Sequence, residues 1–244
     1  MNKTFIFDYD DTLAWNSHDY CYAELEFLRW VLDRLESKAP NMQLILNKAV
    51  EIDKEAVIGM GFGMERFPSS LRETYKWVCH GAGIEDPEGE KVAYDLGMRA
   101  FDESKYRQRG LVEGAIETLD FLVAQRDELI LLTKGDERVQ RKKIEATEAW
   151  RYFRVDAINI VEKKNVETLR YVVAGRDKSR VWHVGNSIRS DVEPALEAGI
   201  KMIYIPCETW AYEREHNGIP EDKKERIWTF DKIAGIRHNY HTLC

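Results

Sequence analysis

Hydrophobic positions follow two rhythms along this chain. Short runs of consecutive apolar residues, rich in Ile, Leu and Val, occur at Thr4–Phe7, 129–132, 157–161, 181–184 and 202–205. Runs of this length and composition predict strands buried on both faces. From the second run onward they alternate with stretches whose apolar residues recur every three or four positions, at 113–125, 137–148, 166–174 and 192–198. Strands alternating with helices are the pattern of βαβ crossovers, which builds a parallel sheet covered by helices.

Between the first strand and the second the rhythm is helical throughout. Tyr20, Ala23, Glu24, Phe27, Leu28, Val31, Leu32 and Leu35 repeat at three and four, and 42–57, 71–78 and 90–101 predict further helices. The expected fold is therefore α/β, with an inserted α-helical domain. Residues 1–14 and 108–244 form the core, and 15–107 form the insert, entered near Trp15 and left near Arg109 and Gly110. No internal repeat is evident. The tail beyond Pro206 is polar, with one short helix expected at 231–236.

Composition narrows the classes of function. A chain of 244 residues with 44% apolar content can bury a substantial core. Its 43 acidic and 36 basic side chains give a net charge of -7, which disfavours a nucleic-acid partner. No apolar run approaches the roughly 20 residues that span a bilayer, so no membrane partner is expected. The first strand begins at Thr4, too early for a signal peptide to precede it, and a cytoplasmic location is expected. The four cysteines, Cys21, Cys79, Cys207 and Cys244, include no C-x-x-C pair and predict reduced thiols. A monomer or a homodimer is expected.

Ligands of parallel α/β sheets bind beyond the carboxyl ends of the strands, where loops converge and helix N-termini point their positive dipoles. Those ends carry Asp8-Tyr9-Asp10-Asp11-Thr12, Thr133-Lys134-Gly135-Asp136, Glu162-Lys163-Lys164-Asn165 and Gly185-Asn186-Ser187-Ile188-Arg189-Ser190-Asp191. Asp8 and Asp10, two apart on an extended segment, can aim two carboxylates the same way. Two crowded anions are tolerable around a hard divalent cation, and oxygen ligands favour magnesium over zinc or copper. The competing reading makes Asp10, Asp11 or Thr12 a helix cap, which suits Asp11 better than Asp8. Thr133, with Lys134 beside it, is placed to hold phosphate oxygens, and a lysine is placed to offset developing negative charge.

These residues resemble the haloacid dehalogenase superfamily, whose members begin with a strand followed by D-x-D-x-T, here Asp8 to Thr12. The hydrophobic strand ending in Thr133, a lysine opening a later helix and a G-(D/N)-S-type loop closing on Asp191 fit the same family. The resemblance covers residues 3–13 and about 111–206 and thins out elsewhere. It implies a Rossmann-like core with a helical cap, and a two-step phosphoryl transfer. Asp8 would be the nucleophile, Asp10 the general acid and base, and Lys164 the charge-neutralising lysine. Lys164 is preferred to Lys163 because it directly precedes the N-cap candidate Asn165. Mg2+ would lie among Asp8, Asp10, Asn186 and Asp191. Asn186 departs from the pattern, since many relatives carry Asp there, and the lost charge should weaken metal binding unless Asp191 compensates. The expected function is a magnesium-dependent phosphatase acting on a small phosphorylated metabolite. A phosphomutase and a catalytically idle phospho-ligand-binding protein are the alternatives.

Other features are read more plainly. The glycines at 59, 61 and 63 follow no strand and read as a turn in the insert rather than a nucleotide loop. His238 and His241 read as a solvated tail, His183 as a satisfied core imidazole, and the basic run 138–143 as a wet helix face. Trp15, His18, Arg66, Phe67 and Trp77 are candidates to line the cap side of a cleft, with core packing the expectation for the tryptophans.

Overall fold

The computed structural model describes residues 2–207 and 221–243. Its sheet has six parallel strands, β1 (Thr4–Phe7), β2 (Glu128–Lys134), β3 (Ile158–Val161), β4 (Val181–Gly185), β5 (Lys201–Tyr204) and β6 (Ile227–Thr229). They lie in the order β3-β2-β1-β4-β5-β6. All four residues of β1 are buried, as a central strand covered on both faces requires. Alternate residues feed two cores. Phe5 and Phe7 join Leu129 and Leu131 on one face, against Ala115, Leu119 and Leu122 of helix Ala115–Ala124. Ile6 joins Ile130, Leu132 and Met202 on the other, against Leu169 and Val172 of helix Val166–Val172 and Ala195 and Leu196 of helix Glu193–Ala198.

This order fixes where a ligand fits. The chain runs outward from β1 through β2 to β3, then crosses back to β4 on the other side. In a parallel sheet of this order the switch point falls between β1 and β4, and ligands of such sheets bind beyond the carboxyl ends of those two strands.

The region beyond Pro206 departs from the sequence expectation. Residues 208–220 lie outside the described part. Past them, the three-residue strand β6 pairs with β5 through Met202 and Ile227, and Trp228 packs edge-on against Trp182 with ring centroids 4.6 Å apart. A three-residue run is too short to show periodicity, which explains why the sequence did not reveal it. The short helix forms at Ala234–His238 rather than at 231–236. The reading of a polar, solvated tail is corrected in part: Ile233, Ile236 and Leu243 are buried in the core, while His241 is exposed.

The chain divides into two compact units, Met1–Ser17 with Glu103–Cys244, and His18–Asp102. The second is helical, formed by α1 (Ser17–Leu35, its first residue counted with the other unit), α2 (Met42–Met60), α3 (Arg66–Ala82) and α4 (Pro87–Met98). Its own core gathers Phe27, Val31, Ile45, Phe67, Leu71, Tyr75 and Leu96. Phe67 stacks edge-on with Tyr20 at 4.8 Å, and Arg66 forms a buried ion pair with Asp53. Asp86 organises the start of α4. It accepts the Gly89 N–H at 3.0 Å, the Arg34 guanidinium at 2.5 and 2.9 Å and the Tyr75 hydroxyl at 2.6 Å. No helix among the described residues is long and apolar enough to cross a membrane.

Candidate active site

The site begins where β1 ends. The Asp8 N–H continues the sheet ladder to the Val184 carbonyl at 2.8 Å, after which a tight turn forms on the Tyr9 carbonyl, with Asp11 at φ +57°. The capping role falls to Asp11, whose carboxylate accepts the Asn16 N–H at 2.9 Å and the Ser17 N–H at 3.0 Å. Asp8 and Asp10 are thereby left for other work.

Asp8 is 6% exposed. Its Oδ1 accepts from Lys164 Nζ at 2.6 Å and its Oδ2 from the Thr12 hydroxyl at 3.1 Å. Burial pushes its carboxyl up to about 7; Lys164 opposes the rise, while Asp191 and Asp10 add to it. The Thr12 hydroxyl is also 3.3 Å from Asn186 Oδ1. One hydroxyl proton cannot serve both oxygens fully, so Asp8 Oδ2 and Asn186 Oδ1, both beside Thr12, keep acceptor capacity to spare.

Lys164 is buried between Asp8 and Asp191, in ion-pair contact with each. Burial disfavours its charge, but Asp191 and Asp8 hold its pKa above the ordinary lysine value. The N-cap of the following helix is Asn165, whose Oδ1 accepts the Thr168 N–H at 2.9 Å, and Lys163 is exposed. Of the two lysines, Lys164 is the one that reaches the carboxylates.

Asp191 has no exposed surface. Its Oδ1 meets His183 Nε2 at 3.0 Å and its Oδ2 accepts the Ser187 N–H at 2.9 Å. Burial opposes its ionisation, but Lys164 and His183 outweigh it and hold the carboxyl well below the usual range. His183 Nδ1 lies 3.0 Å from the Ile6 carbonyl, so both ring nitrogens are engaged within the core. On β2, the Thr133 hydroxyl is fully buried and makes no hydrogen bond, an omission that costs about 1–3 kcal/mol unless a ligand supplies the partner. Lys134 Nζ donates to Ser190 Oγ at 3.0 Å.

Asp10 is held by a different set of partners. Its Oδ1 accepts from Lys143 Nζ at 2.9 Å and its Oδ2 from Gln140 Nε2 at 2.7 Å. Both partners lie on helix Glu137–Ala146, and both are buried. The expectation of a wet face for 138–143 is therefore corrected for Gln140 and Lys143. They fall on the inward stripe with Val139 and Ile144, at helical spacings of three and four, a signal present in the sequence but masked by the surrounding charges.

The donors at this edge are carboxylate, amide and hydroxyl oxygens, a set suited to a hard cation such as magnesium, and the convergence of Asp8 and Asn186 is consistent with one. Among the described residues no three His, Cys, Asp or Glu side chains are grouped to hold a metal by themselves, so an ion here needs Asn186, backbone oxygens or water in its shell.

No family model matches the chain. Over almost its entire length it superposes on a haloacid dehalogenase-like hydrolase from Xanthomonas campestris, with TM-score 0.74 and 22% identity, covering 99% of this chain and 96% of that one. The fold is that of the haloacid dehalogenase superfamily. A magnesium-bound hydrolase of the same superfamily from Bacillus subtilis aligns with TM-score 0.59 and 18% identity, covering 99% and 98%. A phosphoglycolate phosphatase from Pseudomonas fluorescens is 29% identical over 170 residues, 62% of this chain. That match spans 61% of the relative's own length. Dehalogenases also share the haloacid dehalogenase fold, so the choice of reaction rests on the site's own groups.

Proposed function

We propose that this protein is a magnesium-dependent phosphatase that hydrolyses a small phosphorylated metabolite through an aspartyl-phosphate. The observation carrying this reading is the buried Asp8 carboxylate, held by Lys164, with a second carboxylate, Asp10, two residues along. In the first step an Asp8 oxygen attacks phosphorus, the bond from phosphorus to the leaving oxygen breaks, and Asp10 gives that oxygen a proton. In the second, Asp10 takes a proton from water, the water oxygen attacks phosphorus, and the bond to Asp8 breaks, returning the carboxylate and releasing inorganic phosphate. Lys164 offsets charge on the transferring group, and the buried Thr133 hydroxyl donates to one of its oxygens. Asp8, Asn186 and a backbone or water oxygen would hold the magnesium, which supplies charge neutralisation at the phosphoryl oxygens.

Asp10 separates this reading from dehalogenation. A halide leaves without a proton, whereas an alkoxide is a poor leaving group until protonated. The relative named a phosphoglycolate phosphatase supports a small phosphomonoester as substrate.

The test is a panel of phosphorylated metabolites with magnesium, read by release of free phosphate. Turnover should fall at least about 1,000-fold in Asp8→Asn and disappear on chelation of divalent metal. Activity that survives both would overturn the mechanism, and phosphate passed to a second hydroxyl of the substrate would make the protein a mutase.

A further inference from the structure

The mechanism above leaves Gln140 and Lys143 without a role, although each is bonded to one oxygen of Asp10. We infer that the two are positioning residues for Asp10, a two-point clamp that fixes the general acid's carboxylate against the strand-end loops. The inference rests on the phosphatase reading and adds to it the residues that orient its acid.

The geometry is specific at each point. Gln140 is 3% exposed and Lys143 is 4% exposed. Burying an ammonium is costly unless it is paired, and Lys143 Nζ has Asp10 at 2.9 Å and the Asn16 carbonyl oxygen Oδ1 at 2.5 Å. The same ammonium stands 5.7 Å from the centre of the Tyr106 ring, within cation–π range. Lys143 is thus held from three directions.

Gln140 is held by its own amide. Nε2 donates to Asp10 at 2.7 Å and lies 3.2 Å from the Lys134 carbonyl, while Oε1 is buried without a partner. Turning the amide over would set an oxygen against the carboxylate and the carbonyl, so repulsion fixes the orientation observed. The amide accepts one unsatisfied oxygen in order to keep a donor on Asp10. Each Asp10 oxygen has a second lone-pair direction, so a carboxylate gripped from the helix side retains acceptor sites for a proton. If these contacts served only to anchor the helix, nothing would require that both end on the same carboxylate.

The test separates orientation of the acid from general stability by varying the leaving group. A 4-nitrophenolate leaves without protonation, whereas the alkoxide of an alkyl phosphate does not. Lys143→Met and Gln140→Met keep length and burial. In each, the first-turnover burst of 4-nitrophenolate from 4-nitrophenyl phosphate should stay near the wild-type rate, while later turnovers slow. First-turnover cleavage of the alkyl phosphate that wild type hydrolyses fastest should fall about 100-fold, the scale of general-acid catalysis. Asp10→Asn should show the same split, and Lys143→Arg should recover part of the loss. Thermal melting identifies a variant that fails to fold, in which case the other position carries the test.

Equal losses on both esters, or no loss on either, would overturn the clamp while leaving the phosphatase reading intact. If wild type releases phosphate from neither ester class, that reading falls and the clamp falls with it.

Discussion

At Gly185, the last residue of β4, an added β-carbon would collide with the Asp191 carboxyl group. The backbone must pass this close for Asp191 to reach the Ser187 N–H, His183 and Lys164 together. Gly185→Ala should therefore displace Asp191, and both its effects are measurable. Urea unfolding should show a loss of about 1–3 kcal/mol from overpacking, and turnover should drop as Lys164 loses one of its two carboxylates. Asp8, Thr133, Lys164, Asn186 and Asp191 were legible in the sequence as candidates because each lies at or soon after the end of a recognisable strand, where loops and helix dipoles meet. Gln140 and Lys143 were not. They sit within a helix, where a lysine among Arg138, Arg141 and Lys142 looks solvated until the inward stripe is traced.

Elements were read best where the pattern was long or strongly apolar. The first five strands match the apolar runs to within a residue or two, whereas β6 is held by its pairing with β5 and its tryptophan contact rather than by any run of its own. Helix α3 begins at Arg66, five residues before the expected 71, because Pro68 is tolerated in a first turn, where its missing N–H has no helical partner to lose. It ends at Gly83, whose φ of +67° suits a left-handed cap. Helix α4 depends more heavily on one residue. Asp86 caps it and also binds Arg34 and Tyr75, and these partners hold its carboxyl well below the usual range. Asp86→Ala should cost about 2–3 kcal/mol, the sum expected for a lost cap and charged hydrogen bonds left unmade. Urea denaturation above pH 5 measures it, and hydrogen exchange should show the loss at α4 first.

Across the whole molecule, the change from strand-and-helix rhythm to purely helical rhythm made the insert visible, because the helical unit has a core of its own. That unit also carries its own response to pH. Glu24 is pushed up to about 7, by burial first and by the negative charge of Asp53 second. A folded pKa above the unfolded one means that the native state keeps a proton the unfolded chain releases. The stabilisation is complete below the ordinary value near 4.5 and is lost as pH rises through about 7. Unfolding free energies from urea titrations should accordingly fall between about pH 5 and 8, by on the order of 2 kcal/mol from this group, and Glu24→Gln should remove that part of the slope. The opposite kind of dependence follows from the Thr133 hydroxyl, buried with nothing to bond. On the proposed function a phosphate oxygen completes that bond, so saturating inorganic phosphate should raise stability against urea. On the proposed function, supply of the phosphate ester would then govern how long each copy resists proteolysis as well as how fast it turns over.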